Sequence, residues 1–228
     1  MKDGEKVAAI IVAAGESRRM DGVDKIFAEL GGQTLLARVV GTFQRCAPVD
    51  RIILVVHEKN VSKVGKLAAS EKWRKVTDVV AGGKRRQDSV AAGLKKLTDE
   101  AWVIIHDGAR PLVTAGLIKM GLEAAEETGA AVAAVPVTDT IKIAGEDELV
   151  LGTPPRENLR AVQTPQVFRK DIIGKAYQQA KGDVTDDAAL VEKAGGRVKL
   201  YPGSYDNIKI TTPADLALAE VLLKNDEK

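Results

Sequence analysis

The chain has 228 residues, 45% of them hydrophobic, with 34 Lys and Arg against 32 Asp and Glu. That length and apolar share bury a substantial core and exclude an intrinsically disordered chain. A formal net charge of +2 leaves no electrostatic footprint for a nucleic-acid polymer as partner.

Cys46 is the only cysteine, which excludes an intrachain disulfide and a Cys-rich zinc site; it reads as a buried, inert thiol. His57 and His106 are the only histidines, too few for a three-histidine metal centre. The apolar run over 7–14 is too short to span a bilayer. Asp3 and Glu5 before it, with Arg18 and Arg19 after it, spoil it as a signal-peptide core. The expectation is a soluble cytoplasmic protein of a reducing compartment, with no membrane partner.

In chain order, the pattern predicts a strand over 7–13 and then a helical face on Leu35, Leu36, Val39, Val40 and Phe43. Strands over 51–56 and 76–80 follow, then a helical face on Val90, Leu94 and Leu97. A strand over 102–106, a third helical face on Leu117, Met120, Gly121 and Ala124, and a strand over 131–135 come next. Such alternation is the signature of an α/β fold, a mostly parallel sheet with helices on both faces. The near-continuous apolar character of the strands says that both their faces are covered.

The alternation breaks over 136–168, which carries four of the eight prolines. An alternating patch at 140–143 and the turn-like Gly145-Glu146-Asp147-Glu148 read as a protruding β-arm, inserted at about 137–162, rather than an interdomain linker. Residues 1–228 are therefore expected to form one domain with an arm. Helical patterning returns at 171–181 and 187–194, with strands at 198–201 and 208–210. A closing helix starts at Pro213, with Thr212 as its N-cap.

Three strand ends carry chemistry. The first runs into Ala13-Ala14-Gly15-Glu16-Ser17-Arg18-Arg19-Met20, with Lys25 soon after. Ligands of open α/β sheets bind outside the carboxyl ends of the strands. Small residues there let amide N–H groups wrap anionic oxygens, and the cations compensate several negative charges. The loop has neither G-x-G-x-x-G nor G-x-x-x-x-G-K-[ST]; the alternative is a solvated basic loop.

The third strand ends at Ala81-Gly82-Gly83-Lys84-Arg85-Arg86-Gln87-Asp88-Ser89. Its glycine pair suits a tight turn, and its polar groups suit a base edge or a sugar hydroxyl, with helix capping by Asp88 or Ser89 as the plainer reading. The fourth ends at His106-Asp107-Gly108-Ala109-Arg110-Pro111, where an acid is placed to hold a hard cation bridging phosphates and Arg110 offers a planar fork. The plainer reading is an Asp–Arg pair that fixes the loop. Further on stand Arg156 in the arm, Thr164-Pro165-Gln166, Thr185-Asp186-Asp187 and Asp206-Asn207-Ile208-Lys209. Thr185 reads equally as a helix cap.

Together with Asp139-Thr140-Ile141-Lys142, these motifs resemble the 2-C-methyl-D-erythritol 4-phosphate cytidylyltransferases of the non-mevalonate isoprenoid pathway, in order and over nearly the whole chain. The resemblance implies a Rossmann-like nucleotidyltransferase fold, a homodimer interlocked through the β-arms, CTP as co-substrate and Mg²⁺ as cofactor. It implies that Ala13, Ala14, Gly15, Ser17, Gly82, Asp88, Ser89 and Gly108 bind the nucleotide. Arg19 and Lys25 would stabilise the transition state, with Arg156 and Lys209 aiming the acceptor phosphate. Asp107, Arg110, Thr140, Thr164, Thr185 and Asp206 would contact substrate, Asp107 also standing by the metal. Thr140 and Arg156 are placed to act across the dimer. Two positions depart from the pattern: Ser17 replaces a glycine often found there, and Asp24 stands where a proline commonly precedes the lysine.

The implied reaction is attack by a phosphate monoester on the α-phosphorus of CTP, with pyrophosphate leaving. The monoester is mostly dianionic at neutral pH, so no general base is required, and the chain offers no nucleophile–His–acid set. The alternatives are a ribitol 5-phosphate cytidylyltransferase, an NAD(P)-binding oxidoreductase and a non-catalytic nucleotide sensor.

Overall fold

A computed structural model of the chain describes residues 4–15 and 24–226. Strand β1 (Val7–Ala13) is followed by a short 3₁₀ turn at Lys25–Phe27 and a two-strand ladder, β2 (Glu29–Leu30) with β3 (Gln33–Thr34). Thr34 caps helix α1 (Leu35–Arg45) by accepting the Ala37 N–H at 3.2 Å, a hydroxyl cap of the expected kind. Strand β4 (Arg51–Val56), helix α2 (Val61–Ser70), strand β5 (Val76–Ala81), helix α3 (Arg86–Leu94) and strand β6 (Trp102–Asp107) follow. Thr114 caps helix α4 (Ala115–Thr128), which stops at Gly129 with φ +78, the left-handed stop that glycine adopts without strain.

Strand β7 (Ala130–Pro136) leads into a small hairpin, β8 (Ile143–Ala144) with β9 (Val150–Gly152). The chain returns through β10 (Arg160–Arg169) to helices α5 (Lys170–Gln179) and α6 (Asp187–Lys193), strand β11 (Lys199–Pro202) and helix α7 (Pro213–Asp226).

The seven-stranded sheet has the order β11-β7-β10-β6-β1-β4-β5. Only β10 runs against its neighbours; the other pairings are parallel. Alternate strand residues feed two cores. Ala9, Ile11, Ile52, Leu54 and Ile104 pack with Val39, Val40 and Phe43 of α1, Val64 of α2 and Ile118 and Leu122 of α4. Ile10, Ile53, Val55, Val103 and Ile105 pack with Val90 of α3, Ile173 of α5 and Leu190 and Val191 of α6. Coverage on both faces explains the unbroken apolar runs. In this register Val12 stands opposite Asp107, Ala13 opposite Val56, and Val56 opposite Ala81, so the loops after β1, β5 and β6 leave one edge of the sheet together.

One expectation fails and two elements escape the sequence pattern. Of the span assigned to the arm only 160–162 lie in the sheet, where they open β10, a central strand between β6 and β7 that the pattern does not show. Pro165 hid it, because proline removes a ladder donor; the register slips between Val162 and Gln166, where the proline sits. Helix α2 escaped the pattern because Gly65 lies mid-helix and only Val64 is fully buried on its face. Residues 208–210 form no strand. The Ile208 N–H turns back to the Asp206 carbonyl at 2.7 Å, and the Ile210 N–H goes to the Ala109 carbonyl at 2.8 Å.

Thr212 caps as expected. Its hydroxyl accepts the Asp215 N–H at 3.3 Å while the Asp215 carboxylate accepts the Thr212 N–H at 2.8 Å, a reciprocal box.

Candidate active site

The carboxyl edge is built by close approach. Gly108, after β6, lies against β1: a Cβ there would meet the Ala13 Cβ at 2.9 Å and the Val12 carbonyl oxygen at 3.3 Å. Gly82, after β5, has no room either, since a Cβ would lie 2.3 Å from the Ala14 Cβ and 2.6 Å from Ser89 Oγ. These glycines are required by packing, not by a left-handed turn, because neither has a positive φ. Ala14 and Gly15 then reach the cleft with Lys25. Ser17 and Arg19 lie outside the described residues. Asp24 accepts a 2.5 Å hydrogen bond from Nδ2 of the buried Asn60, which ties the approach to Lys25 onto the segment before α2.

At the start of α3, Ser89 Oγ accepts the Gly83 N–H at 3.1 Å and so shapes the turn from inside the helix. Asp88 turns back instead, accepting the Arg85 N–H at 3.2 Å and pairing with the Arg85 guanidinium at 2.6 Å. Helix capping by Asp88 is therefore real.

Asp107 is the electrostatic centre. Oδ1 faces Arg86 Nε at 3.0 Å and Oδ2 faces Lys209 Nζ at 2.8 Å. Burial pushes its carboxyl up, but the charges of Arg86 and Lys209 outweigh this and hold it well below the usual carboxylate range. Thr164 Oγ accepts the Asp107 N–H at 3.0 Å and lies 3.1 Å from His106 Nδ1, while His106 Nε2 lies 3.1 Å from the Arg110 carbonyl oxygen. A carbonyl can only accept, so Nε2 carries the proton and the Thr164 hydroxyl donates to Nδ1. Burial lowers this imidazole to about 4 and keeps it neutral. Arg110 donates from Nη1 to the Asn207 carbonyl at 2.6 Å, joining the β6 loop to the segment before α7.

Two cavities meet at this centre. One, of about 170 Å³, is lined by Ala14, Gly15, Lys25, Gly83, Arg85 and Ser89 among others. The second, of about 220 Å³, is lined by Arg110, Val162, Gln163, Thr164, Thr185 and Asp186 among others. Arg86, Asp107 and Lys209 line both. The structure thus gathers Ala14, Gly15, Lys25, Ser89, Asp107, Arg110, Thr164, Thr185 and Lys209. Ala13, Gly82 and Gly108 support the cleft from behind.

Thr140, Arg156 and Asp206 are exposed and line neither cavity; Arg156 sits at the root of the hairpin, donating to the Thr138 carbonyl at 2.6 Å. Thr185 is not the cap of α6, because Asp186 takes that place by accepting the Ala189 N–H at 3.0 Å. Among the described residues, Arg86 and Asp187 also join this centre, and the sequence pattern singles out neither. Arg86 bridges Asp107 and the buried Asp187, and the only signal was its place in a basic run opening a helix.

A profile of 2-C-methyl-D-erythritol 4-phosphate cytidylyltransferase matches residues 7–225. The chain belongs to this family. A 2-C-methyl-D-erythritol 4-phosphate cytidylyltransferase of Dehalococcoides mccartyi is 54% identical over 220 residues, covering 96% of this chain and 97% of that protein. One from Halalkalibacterium halodurans is 45% identical, covering 97% of this chain and 98% of that protein. The crystal structure of a 4-diphosphocytidyl-2C-methyl-D-erythritol synthase from Anaerococcus prevotii superposes with a TM-score of 0.87 at 33% identity, covering 97% of each chain. The family is one of nucleotidyltransferases, and its assignment favours neither the ribitol phosphate nor the oxidoreductase alternative.

Proposed function

We propose that the chain transfers CMP from CTP to 2-C-methyl-D-erythritol 4-phosphate, giving 4-diphosphocytidyl-2-C-methyl-D-erythritol and pyrophosphate, as a step of the non-mevalonate isoprenoid pathway. The observation that carries this reading is the pair of cavities meeting at Asp107, Arg86 and Lys209. One takes the nucleotide between the β1 and β5 loops; the other takes the acceptor against the β6 loop and the start of α6.

An oxygen of the acceptor phosphate attacks the α-phosphorus and a new P–O bond forms. The bond from the α-phosphorus to the bridging oxygen breaks, and its electron pair leaves with pyrophosphate. The attacking oxygen is already anionic near neutral pH, so the obstacle is bringing an anion against a polyanion. Positioning and charge compensation supply the acceleration. Lys25, with Arg19, neutralises the charge that builds on the phosphates, and Lys209 aims the acceptor phosphate. Thr164, bonded to the Asp107 amide and to His106, holds the carboxylate in place.

Among the described residues, no group of three or more His, Cys, Asp or Glu side chains is placed to hold a metal by itself. One carboxylate together with triphosphate oxygens is a donor set that magnesium takes. Asp107, whose oxygens already receive Arg86 and Lys209, would meet such an ion, arriving with the nucleotide, through a remaining lone pair. Bound there, it would spread the phosphate charge.

Ile143, Leu149, Val150 and Leu151 of the hairpin are exposed, Leu151 at 71%, an apolar arm that a second copy would cover. In that homodimer Thr140 and Arg156 serve the partner's cleft. No helix among the described residues is long and apolar enough to cross a membrane, and a cytoplasmic setting suits these phosphorylated substrates. Incubation with Mg²⁺, CTP and methylerythritol 4-phosphate, followed by mass analysis of the diphosphocytidyl product, tests the reading; absence of that product contradicts it.

A further inference from the structure

Arg86 is shared between two carboxylates on different elements. Its Nε lies 3.0 Å from Asp107 Oδ1 at the end of β6, and its Nη1 lies 2.7 Å from Asp187 Oδ2 at the start of α6. Asp187 is 1% exposed and lines neither cavity. Its other oxygen accepts a 2.5 Å hydrogen bond from the Tyr177 hydroxyl of α5. Beyond Asp107, Oδ2 receives Lys209. Tyr177, Asp187, Arg86, Asp107 and Lys209 thus form one chain of contacts, from the helical layer to the point where the cavities meet.

A structural ion pair holding α6 to the sheet is the plainer explanation, and α6 does not need it. Asp186 caps the helix, Gln166 Oε1 accepts the Ala188 N–H at 3.2 Å, and Leu190 and Val191 are buried in the core. A buried charge pair is in any case weak evidence for stability. A guanidinium held only by Asp107 has several N–H groups to offer it. Nη2 is buried and has no partner among the described residues, so it could take over from Nε. The Asp187 contact through Nη1 selects the orientation in which Nε meets Oδ1 and Oδ2 is left to Lys209.

We propose that Asp187 is a positioning residue for the acceptor side of the cleft, acting through Arg86 and Asp107 to fix the ammonium of Lys209. This rests on the reading of Lys209 as the group that aims the acceptor phosphate. Loss of the Asp187 charge lets Arg86 turn on Asp107 and displaces Lys209, while the nucleotide contacts of the β1 and β5 loops stay in place.

The test is steady-state pyrophosphate release by the full chain, with each substrate varied in turn. Asp187→Asn is expected to raise KM for methylerythritol 4-phosphate by roughly tenfold, with KM for CTP and kcat within about threefold of wild type. Asp187→Glu, which keeps the charge, restores the acceptor KM to within about threefold. Adding Asp187→Asn to Arg86→Lys changes the acceptor KM by no more than about twofold, because the two act in series.

Should Asp187→Asn not fold, Tyr177→Phe releases the same carboxylate and is expected to raise the acceptor KM alone by about threefold. An acceptor KM unmoved in Asp187→Asn, or in its absence in Tyr177→Phe, overturns the proposal. So does a parallel loss in both KM values and kcat that Asp187→Glu does not repair, or additivity with Arg86→Lys. A wild-type chain that releases no pyrophosphate overturns the transfer reading, and this proposal with it.

Discussion

Lys209 Nζ lies 2.8 Å from Asp107 Oδ2, which ties the segment before the last helix to the carboxyl end of β6. The contact leaves the carboxylate held by two cations, since Arg86 occupies its other oxygen. Replacing Asp107 by Asn takes from Lys209 its carboxylate partner and leaves Arg86 to Asp187 alone. The expected cost is about 1–2 kcal/mol of folding stability, read as a lower urea midpoint at unchanged slope. An unchanged midpoint contradicts the picture of Asp107 as the shared anchor.

Lys25 lines the cavity proposed for the nucleotide and is assigned to charge that exists only as the α-phosphorus is attacked. Lys25→Ala is expected to lower kcat by about 10²–10⁴, with a smaller change in KM for CTP. Unchanged turnover would sink the assignment.

Arg156 lines neither cavity. Arg156→Ala should raise KM for the acceptor more than KM for CTP, and the reverse pattern refutes its role. Action across a dimer adds a sharper expectation. Mixing Lys25→Ala with Arg156→Ala under subunit exchange places both defects in one cleft and leaves the other intact, so activity recovers at low acceptor concentration. No recovery places Arg156 in its own cleft or in none.

Much of this arrangement was legible in the residues. Ala14-Gly15, Gly82-Gly83 and Asp107-Gly108 each follow an apolar run, and parallel register carries all three to one edge. What stayed hidden depended on tertiary partners. Pro165 argued against a strand, yet β10 lies at the centre of the sheet because its register slips around the proline. Lys209, between two isoleucines, suggested a strand; the chain there is held by Ile210 buried beside Leu30 and Leu35 and by the ion pair to Asp107. Arg86 was indistinguishable from Arg85 by sequence alone. One is paired on the surface with Asp88 and Asp183, the other bridges two buried acids.

Gly82 has no space for a methyl group, because Ala14 and Ser89 occupy it. Gly82→Ala is expected to cost about 1–3 kcal/mol from overpacking and to raise KM for CTP, since relief requires moving the loops that line the cavity proposed for the nucleotide. Wild-type KM and melting temperature together would contradict that packing.

His106 is fully buried, and burial lowers its imidazole from 6.5 to about 4. Its folded value lies below its unfolded value, so the stabilisation is complete above pH 6.5 and is lost as pH falls toward 4. The loss amounts to about 3 kcal/mol across that window. His106→Gln, which cannot take up a proton there, should flatten the fall in urea midpoint between neutral and acid pH. An equally steep fall in the variant assigns the acid sensitivity to other groups.

Acceptor choice is the sharpest test of cytidylyl transfer at this cleft. With Mg²⁺ and CTP present, pyrophosphate release is measured with methylerythritol 4-phosphate and, separately, with ribitol 5-phosphate. Release is expected with the first and little with the second. Release with ribitol 5-phosphate alone would contradict the reading of the acceptor cavity, and silence with both would contradict cytidylyl transfer itself.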